Sequence, residues 1–177
     1  MLARLRNLKF YEVFPAAFVG FLFLLNLLPL LAPILAYFGE KNISGFIYWL
    51  YSFSCHQKAS RSFFVCDHQY GWCARCTFLW FSTFLSSIIV FYGHKFIKIP
   101  GLSWQTALVF VAPMAFDGGI QLIASVVSLF TGLDPFYEST NSIRAITGSF
   151  FGIGLGLYLF PRLKAELGYN SQLDKTI

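Results

Sequence analysis

Four cysteines, Cys55, Cys66, Cys73 and Cys76, fall within one stretch, SCHQKASRSFFVCDHQYGWCARCTF, together with His56 and His68. They are all the cysteines in 177 residues, and random scattering would rarely gather them so closely. Cys73-Ala-Arg-Cys76 is a CxxC pair at the start of an apolar run. Two intervening residues let both sulfurs face one centre, about 2.3 Å from a tetrahedral metal. The same spacing suits a redox disulfide, and a helix N-terminus with Arg75 beside it favours thiolate over thiol. Together with Cys55 and His56, or with Cys66 and His68, the pair points to metal or thiol redox chemistry. Two inert disulfides bracing the loop are the third reading.

A second chemical candidate is Asp117, which lies near the middle of another apolar run, beside Gly118 and Gly119 and one helical turn before Gln121. An acid at that depth in lipid is costly, and is therefore a candidate to bind a cation, carry a proton or pair with an arginine. The structural alternative is a carboxyl kept neutral by burial and hydrogen-bonded to Ser82, Thr83 or Ser86 across a helix bundle. Arg144 opens the next run at the far end, about 20 Å from Asp117 along the helix. It is therefore expected to snorkel to the interface, with Asp134 or Glu138 to neutralise it and Ser139, Thr140 or Asn141 capping its helix. Contact with Asp117 requires the 131–141 loop to sink inward or the helix to break at Gly118–Gly119.

These residues must be positioned by apolar helices. Runs at about 14–37, 76–92, 106–130 and 143–160 are each long enough to cross a hydrocarbon core of about 30 Å. Pro29 and Pro33 predict a kink late in the first, and Pro161 a stop to the last. The aromatic segment 43–54 would rise only about 18 Å as a helix. It is read as interfacial or re-entrant, capped by Asn42 or Ser44. The expected fold is an all-α integral membrane protein, one transmembrane domain over 1–177, with a Cys/His-rich loop at 55–76. Gly148, Gly152 and Gly156 make a small-residue stripe, expected to pack within the bundle in preference to forming a dimer contact.

Composition agrees with that class: 56% of residues are hydrophobic, 12% are charged, and 22 are phenylalanine. A soluble domain carries about 25% charged residues. The net charge of +5 sits in short flanks, with no nucleic-acid motif. The N-terminal run is too long for a signal-peptide core of about 7–15 residues and is read as a retained helix. Arg4, Arg6, Lys9, Lys95, Lys98, Arg162, Lys164 and Lys175 fall on one side of the membrane, against Lys41, Lys58, Arg61, Arg75 and Arg144 on the other. The more basic side is expected in the cytoplasm, with both termini, in a multi-pass protein of the cell membrane.

The succession CHQ, RS and CxRCT resembles that of an uncharacterised prokaryotic family of small polytopic membrane proteins, known as a domain of unknown function. The likeness extends through Pro113, Asp117, Gly118 and Gln121 to Ser139-Thr140-Asn141, Arg144, Thr147 and Gly148. It marks Cys55, His56, Gln57, Arg61, Ser62, Cys73, Arg75, Cys76 and Thr77, and it leaves out Cys66 and His68. The chain departs from the pattern at Phe78, where glycine is usual. Three cysteines and one histidine in the family set favour a metal over two disulfides. The resemblance implies no activity.

The leading expectation is a Cys55, His56, Cys73, Cys76 metal site on the outer face, zinc by default, structural or accessory to a membrane complex. Gln57, Arg61, Arg75, Asp117, Gln121, Asn141 and Arg144 are the further polar candidates. The alternative is a quinone-coupled thiol oxidoreductase, with Cys73 and Cys76 as the quinone-side pair and Cys55 with Cys66 as the shuttle pair. A third is a small transporter or channel centred on Asp117, which four helices would form only as an oligomer. The partners expected are the lipid bilayer and either a homo-oligomer or a larger complex. A catalytic role is less expected than a binding one.

Overall fold

The computed structural model describes residues 10–93, 99 and 101–167, without the side chains of 10–12. Arg4, Arg6, Lys9, Lys95, Lys98 and Lys175 lie outside the described residues. In order along the chain come α1 (Phe10–Tyr37), α2 (Lys41–Ser52), a 3-10 turn (Ala59–Arg61), β1 (Ser62–Val65), β2 (His68–Cys73), α3 (Ala74–Tyr92), α4 (Trp104–Thr131) and α5 (Asn141–Glu166). Four of these helices, α1 (from Val13), α3, α4 and α5, are long and apolar enough to cross a membrane. The protein is an all-α membrane bundle with one small hairpin at the cysteine-bearing end.

α2 has 12 residues, about 18 Å, too few to span. It folds back on α1 through Gly39, whose φ of +87° suits the tight reversal. Ser44, Ile47 and Tyr51 recur at helical spacing and are buried, whereas Phe46, Trp49 and Phe53 are exposed. No side chain caps its start, which follows Glu40 and so precedes the expected caps Asn42 and Ser44. Ser44 is drawn into the α1 contact instead, donating to the Ala32 carbonyl at 2.8 Å.

The helix prolines expose carbonyls that other elements use. Pro29 has no N–H, so the Leu25 carbonyl lacks its helical donor; the Tyr51 hydroxyl supplies one at 3.0 Å. Pro161 does not stop α5, which runs on to Glu166. The carbonyl it frees, that of Leu157, accepts from the Leu102 backbone N–H at 3.1 Å. Arg162 also donates to the Leu102 carbonyl, at 2.8 Å.

α3 and α5 form the centre of the bundle. The glycine stripe of α5 lies against α3: a Cβ at Gly148 would stand 2.5 Å from the Arg75 carbonyl, and those at Gly152 and Gly156 would strike Ser82 and Ser86. Close approach therefore requires glycine here, and the stripe serves packing inside the chain. The 55–76 segment, expected as a loop, folds into a hairpin. Ser62 pairs with Cys73 and Val65 with His68, and Cys66-Asp67 forms the two-residue turn, both at positive φ (51° and 60°). That conformation is what a tight hairpin turn of the type I′ class demands. Gly71 seats the hairpin on α1, since a Cβ there would stand 2.8 Å from the Pro29 Cα.

Candidate metal centre

Three thiols converge although they come from different elements. Cys55 follows α2, its backbone N–H donating to the Tyr51 carbonyl at 3.1 Å. Cys73 ends β2 and is the N-cap of α3, and Cys76 lies in the first turn. Their Sγ atoms all lie within 4.8 Å of one another. The edge of a zinc–thiolate tetrahedron is about 3.8 Å, so sub-ångström side-chain shifts suffice to close the trio on one ion.

Backbone donors converge on two of the sulfurs. The Cys73 N–H meets Cys55 Sγ at 3.3 Å, and the Gln57 N–H also points to that sulfur. The N–H groups of Arg75 and Cys76, at the open N-terminus of α3, point to Cys73 Sγ. Hydrogen bonds from the Cys55 and then the Cys76 thiol, with those N–H groups, hold the Cys73 thiol well below its ordinary range. Cys55 moves the opposite way, chiefly because its thiol proton is the one shared with Cys73. The backbone N–H groups converging on Cys73 favour its thiolate, the form that binds metal.

Neighbouring side chains hold this arrangement. Gln57 adopts φ +47°, and its side-chain amide donates to the Tyr48 and Gly71 carbonyls, both at 2.9 Å. Gln69 donates to Ser62 Oγ at 3.1 Å, tying β2 to β1. Trp72 is buried between Tyr51, edge-on at 4.9 Å, and Trp80, stacked at 6.1 Å. Thr77 donates to the Cys73 carbonyl at 3.0 Å. A cavity of about 250 Å³ opens over the thiols, with His56, Gln57, Lys58 and Arg61 on its walls.

Two expected participants stand apart. His56 is exposed and, although it lines the cavity, is not among the clustered ligand atoms. Cys55 turns into the core and its chain neighbour turns outward. Cys66 is exposed in the hairpin turn and also lies outside the trio, so the Cys55–Cys66 shuttle pair is not assembled. His68, exposed beside it, is engaged with the Cys66 carbonyl at 2.8 Å through Nδ1.

The polar candidates form a second cluster. Arg75 is an ion-pair partner of Asp117 Oδ2, so the guanidinium expected beside the thiols reaches across to α4. Gly118 leaves it room, since a Cβ there would lie 3.3 Å from Arg75 Nη1. Tyr137 donates to Asp117 Oδ1 at 2.7 Å and Ser139 to Oδ2 at 3.1 Å. The 131–141 loop therefore does sink inward, and nothing in the sequence singled out Tyr137. That hydrogen bond to the Asp117 carboxylate raises the Tyr137 phenol above its ordinary range. Ser82 and Thr83, expected partners of Asp117, instead donate to their own helix, to the carbonyls of Phe78 (2.7 Å) and Leu79 (2.8 Å). Ser86 lies against Gly156.

Arg144 does not snorkel: it is 2% exposed. It donates to Asn141 Oδ1 at 3.2 Å and lies 3.6 Å from Glu138. With its amide oxygen turned toward Arg144, Gln121 accepts from that guanidinium at 2.9 Å and from the Ser139 N–H at 3.1 Å. Glu138 also pairs with Arg61 at 3.2 Å, and Asn141 donates to the Ser62 carbonyl at 3.3 Å. These contacts clamp the loop before α5 onto the hairpin that carries the thiols. Thr140 caps α5 by accepting from the Ile143 N–H at 3.3 Å.

The Arg75–Asp117 pair joins the first turn of α3, a helix of 19 residues, to the middle of α4.

Comparison with known proteins agrees with this architecture. A family model described as "Predicted membrane protein (DUF2085)" matches residues 55–158. An uncharacterized protein of Methanocaldococcus jannaschii is 36% identical over 138 residues, 74% of this chain and 80% of the relative. An uncharacterized protein of Methanothermobacter thermautotrophicus is 30% identical over 107 residues, 60% of this chain and 85% of the relative. No solved structure matches significantly. The matched segment begins at Cys55, takes in all three clustered thiols and Asp117, and covers more than half of the chain, which therefore belongs to this family of membrane proteins.

Proposed function

We propose that this membrane protein carries a metal centre in which Cys55, Cys73 and Cys76 are ligands and zinc is the ion. The observation that supports it is the meeting of three sulfurs from separate parts of the chain within 4.8 Å. Tetrahedral zinc accepts that ligand set, and soft thiolates suit it. The ion would tie the end of α2 to the start of α3, bracing the hairpin between them. The role is structural or accessory to a membrane complex. The oxidoreductase reading loses support with Cys66 outside the cluster. The transporter reading loses support because both Asp117 oxygens already have protein partners. Protein purified in detergent without chelator is expected to contain about one zinc per chain, measured by elemental analysis. Metal-free protein with all four cysteines oxidised would sink the proposal.

The basic-residue asymmetry supports a cell-membrane protein with both termini in the cytoplasm and the cysteine end outside. A reporter active only outside the cytoplasm is expected to be silent when fused after Ile177 and active when fused after Glu40. Activity at Ile177 would reverse the orientation.

A further inference from the structure

A tetrahedral ion takes four donors, and among the described residues this cluster supplies three. Cys55 is 6% exposed and packs with Ile47, Tyr51 and Trp72, whereas His56 is exposed on the cavity wall and is not among the clustered ligand atoms. The fourth corner therefore faces the cavity of about 250 Å³ that lies over the thiols. A water molecule needs about 30 Å³, so this space holds far more than one. Three protein ligands with an exchangeable fourth position is the arrangement of centres that handle a ligand, whereas centres that only brace a fold are closed.

The cavity walls indicate the charge of that ligand. Lys58 and Arg61 both line it. Arg61 is paired with Glu138 at 3.2 Å, while Lys58 is exposed and has no ion pair among the described residues. Three thiolates on a divalent ion leave one net negative charge. A fourth anionic ligand makes two, and Lys58 is the wall cation placed to oppose that charge. A thiolate-rich centre also prefers another soft donor over a carboxylate.

We propose that the fourth ligand is a small thiolate from outside the chain, bound in this cavity. The inference rests on the metal reading above. On binding, a metal–sulfur bond forms and a metal–water bond breaks. The incoming thiol gives its proton to solvent, and no electrons change hands. The ammonium of Lys58 would attract the anionic sulfur and hold it.

The test uses full-length Cys66→Ser protein in detergent, loaded with Co(II) and titrated with 2-mercaptoethanol. Cobalt uptake is read first, and one ion per chain is expected. Sulfur-to-cobalt charge-transfer absorption should then rise by about a third and saturate, as three thiolates become four. Lys58→Ala should raise the half-saturating thiol concentration, roughly fivefold at the scale of one exposed charge pair. A spectrum unmoved by thiol but altered by His56→Ala would mean a closed site with His56 as fourth ligand, and would overturn the inference alone. Thiol that strips the cobalt would overturn it as well. No cobalt uptake before thiol is added would overturn the metal reading and the inference with it.

Discussion

Cys73→Ser is expected to weaken zinc binding by about two to three orders of magnitude, and Cys55→Ser and Cys76→Ser to do the same, while Cys66→Ser retains full affinity. In the proposed centre each clustered sulfur would be one ligand, and Cys66 lies outside the trio. A structural zinc site is worth about 10–16 kcal/mol in apparent binding. If the loss is shared among four ligands, each serine variant forfeits roughly 2.5–4 kcal/mol, or about 10²–10³-fold in affinity. His56→Ala should cost less than about tenfold, because its ring lies outside the trio. Competition against a chromophoric chelator reads all of these. The pH dependence has a definite sign. Metal-free protein keeps a proton on Cys55, whose thiol is raised chiefly by its hydrogen bond to Cys73. Zinc must displace that proton, so the metal-bound state holds fewer protons than the metal-free one. Affinity, and the stability that comes with it, should rise with pH through the neutral range and fall on acidification. Equal affinity in wild type and Cys73→Ser would remove Cys73 from the centre.

The helices were legible because lipid demands long apolar runs, and that signal survives without any knowledge of tertiary structure. Their ends were less so. Pro161 marks a stop by local rules, yet α5 continues because Leu102 supplies a donor to the carbonyl that the proline frees. The thiol cluster was legible from composition, and Cys55, Cys73 and Cys76 are the thiols expected to meet; the hairpin that holds Cys66 apart was not legible. Cys66 is set apart by a hairpin turn built from Cys66 and Asp67 at positive φ, where glycine or asparagine is the usual signal. Strands of four and six residues are too short for alternation to declare itself. The Arg75–Asp117 pair was hidden for another reason. Its members are 42 residues apart, and their meeting depends on a loop whose descent is decided only by packing. Arg75 was read by its neighbours in sequence, the thiols, when its partner lies on another helix.

That pair carries the other large effect. Asp117→Asn keeps the shape and an acceptor for Tyr137, but it removes the charge opposite Arg75. Asp117 is 5% exposed and Arg75 20% as side chains, so an unpaired guanidinium would be left in a largely dry site. Breaking a buried pair from one side costs about 3–5 kcal/mol, and the partial exposure of Arg75 places this pair toward the lower figure. For a chain of this size, 1 kcal/mol shifts the midpoint by about 2–4 °C, so Asp117→Asn should melt roughly 6–12 °C below wild type in detergent. Arg75→Met should destabilise similarly, through the stranded carboxylate. The double variant Arg75→Met with Asp117→Asn should lose much less than the sum of the single losses, because neither charge is then left alone. Tyr137→Phe removes one neutral donor and should cost only about 1 kcal/mol. The same variants separate anchoring from transport. An anchoring acid predicts that the stability loss tracks the unpaired charge and is relieved in the double variant. If Asp117→Asn melts like wild type, Asp117 does not anchor the descending loop, and its burial needs an explanation in binding or transport.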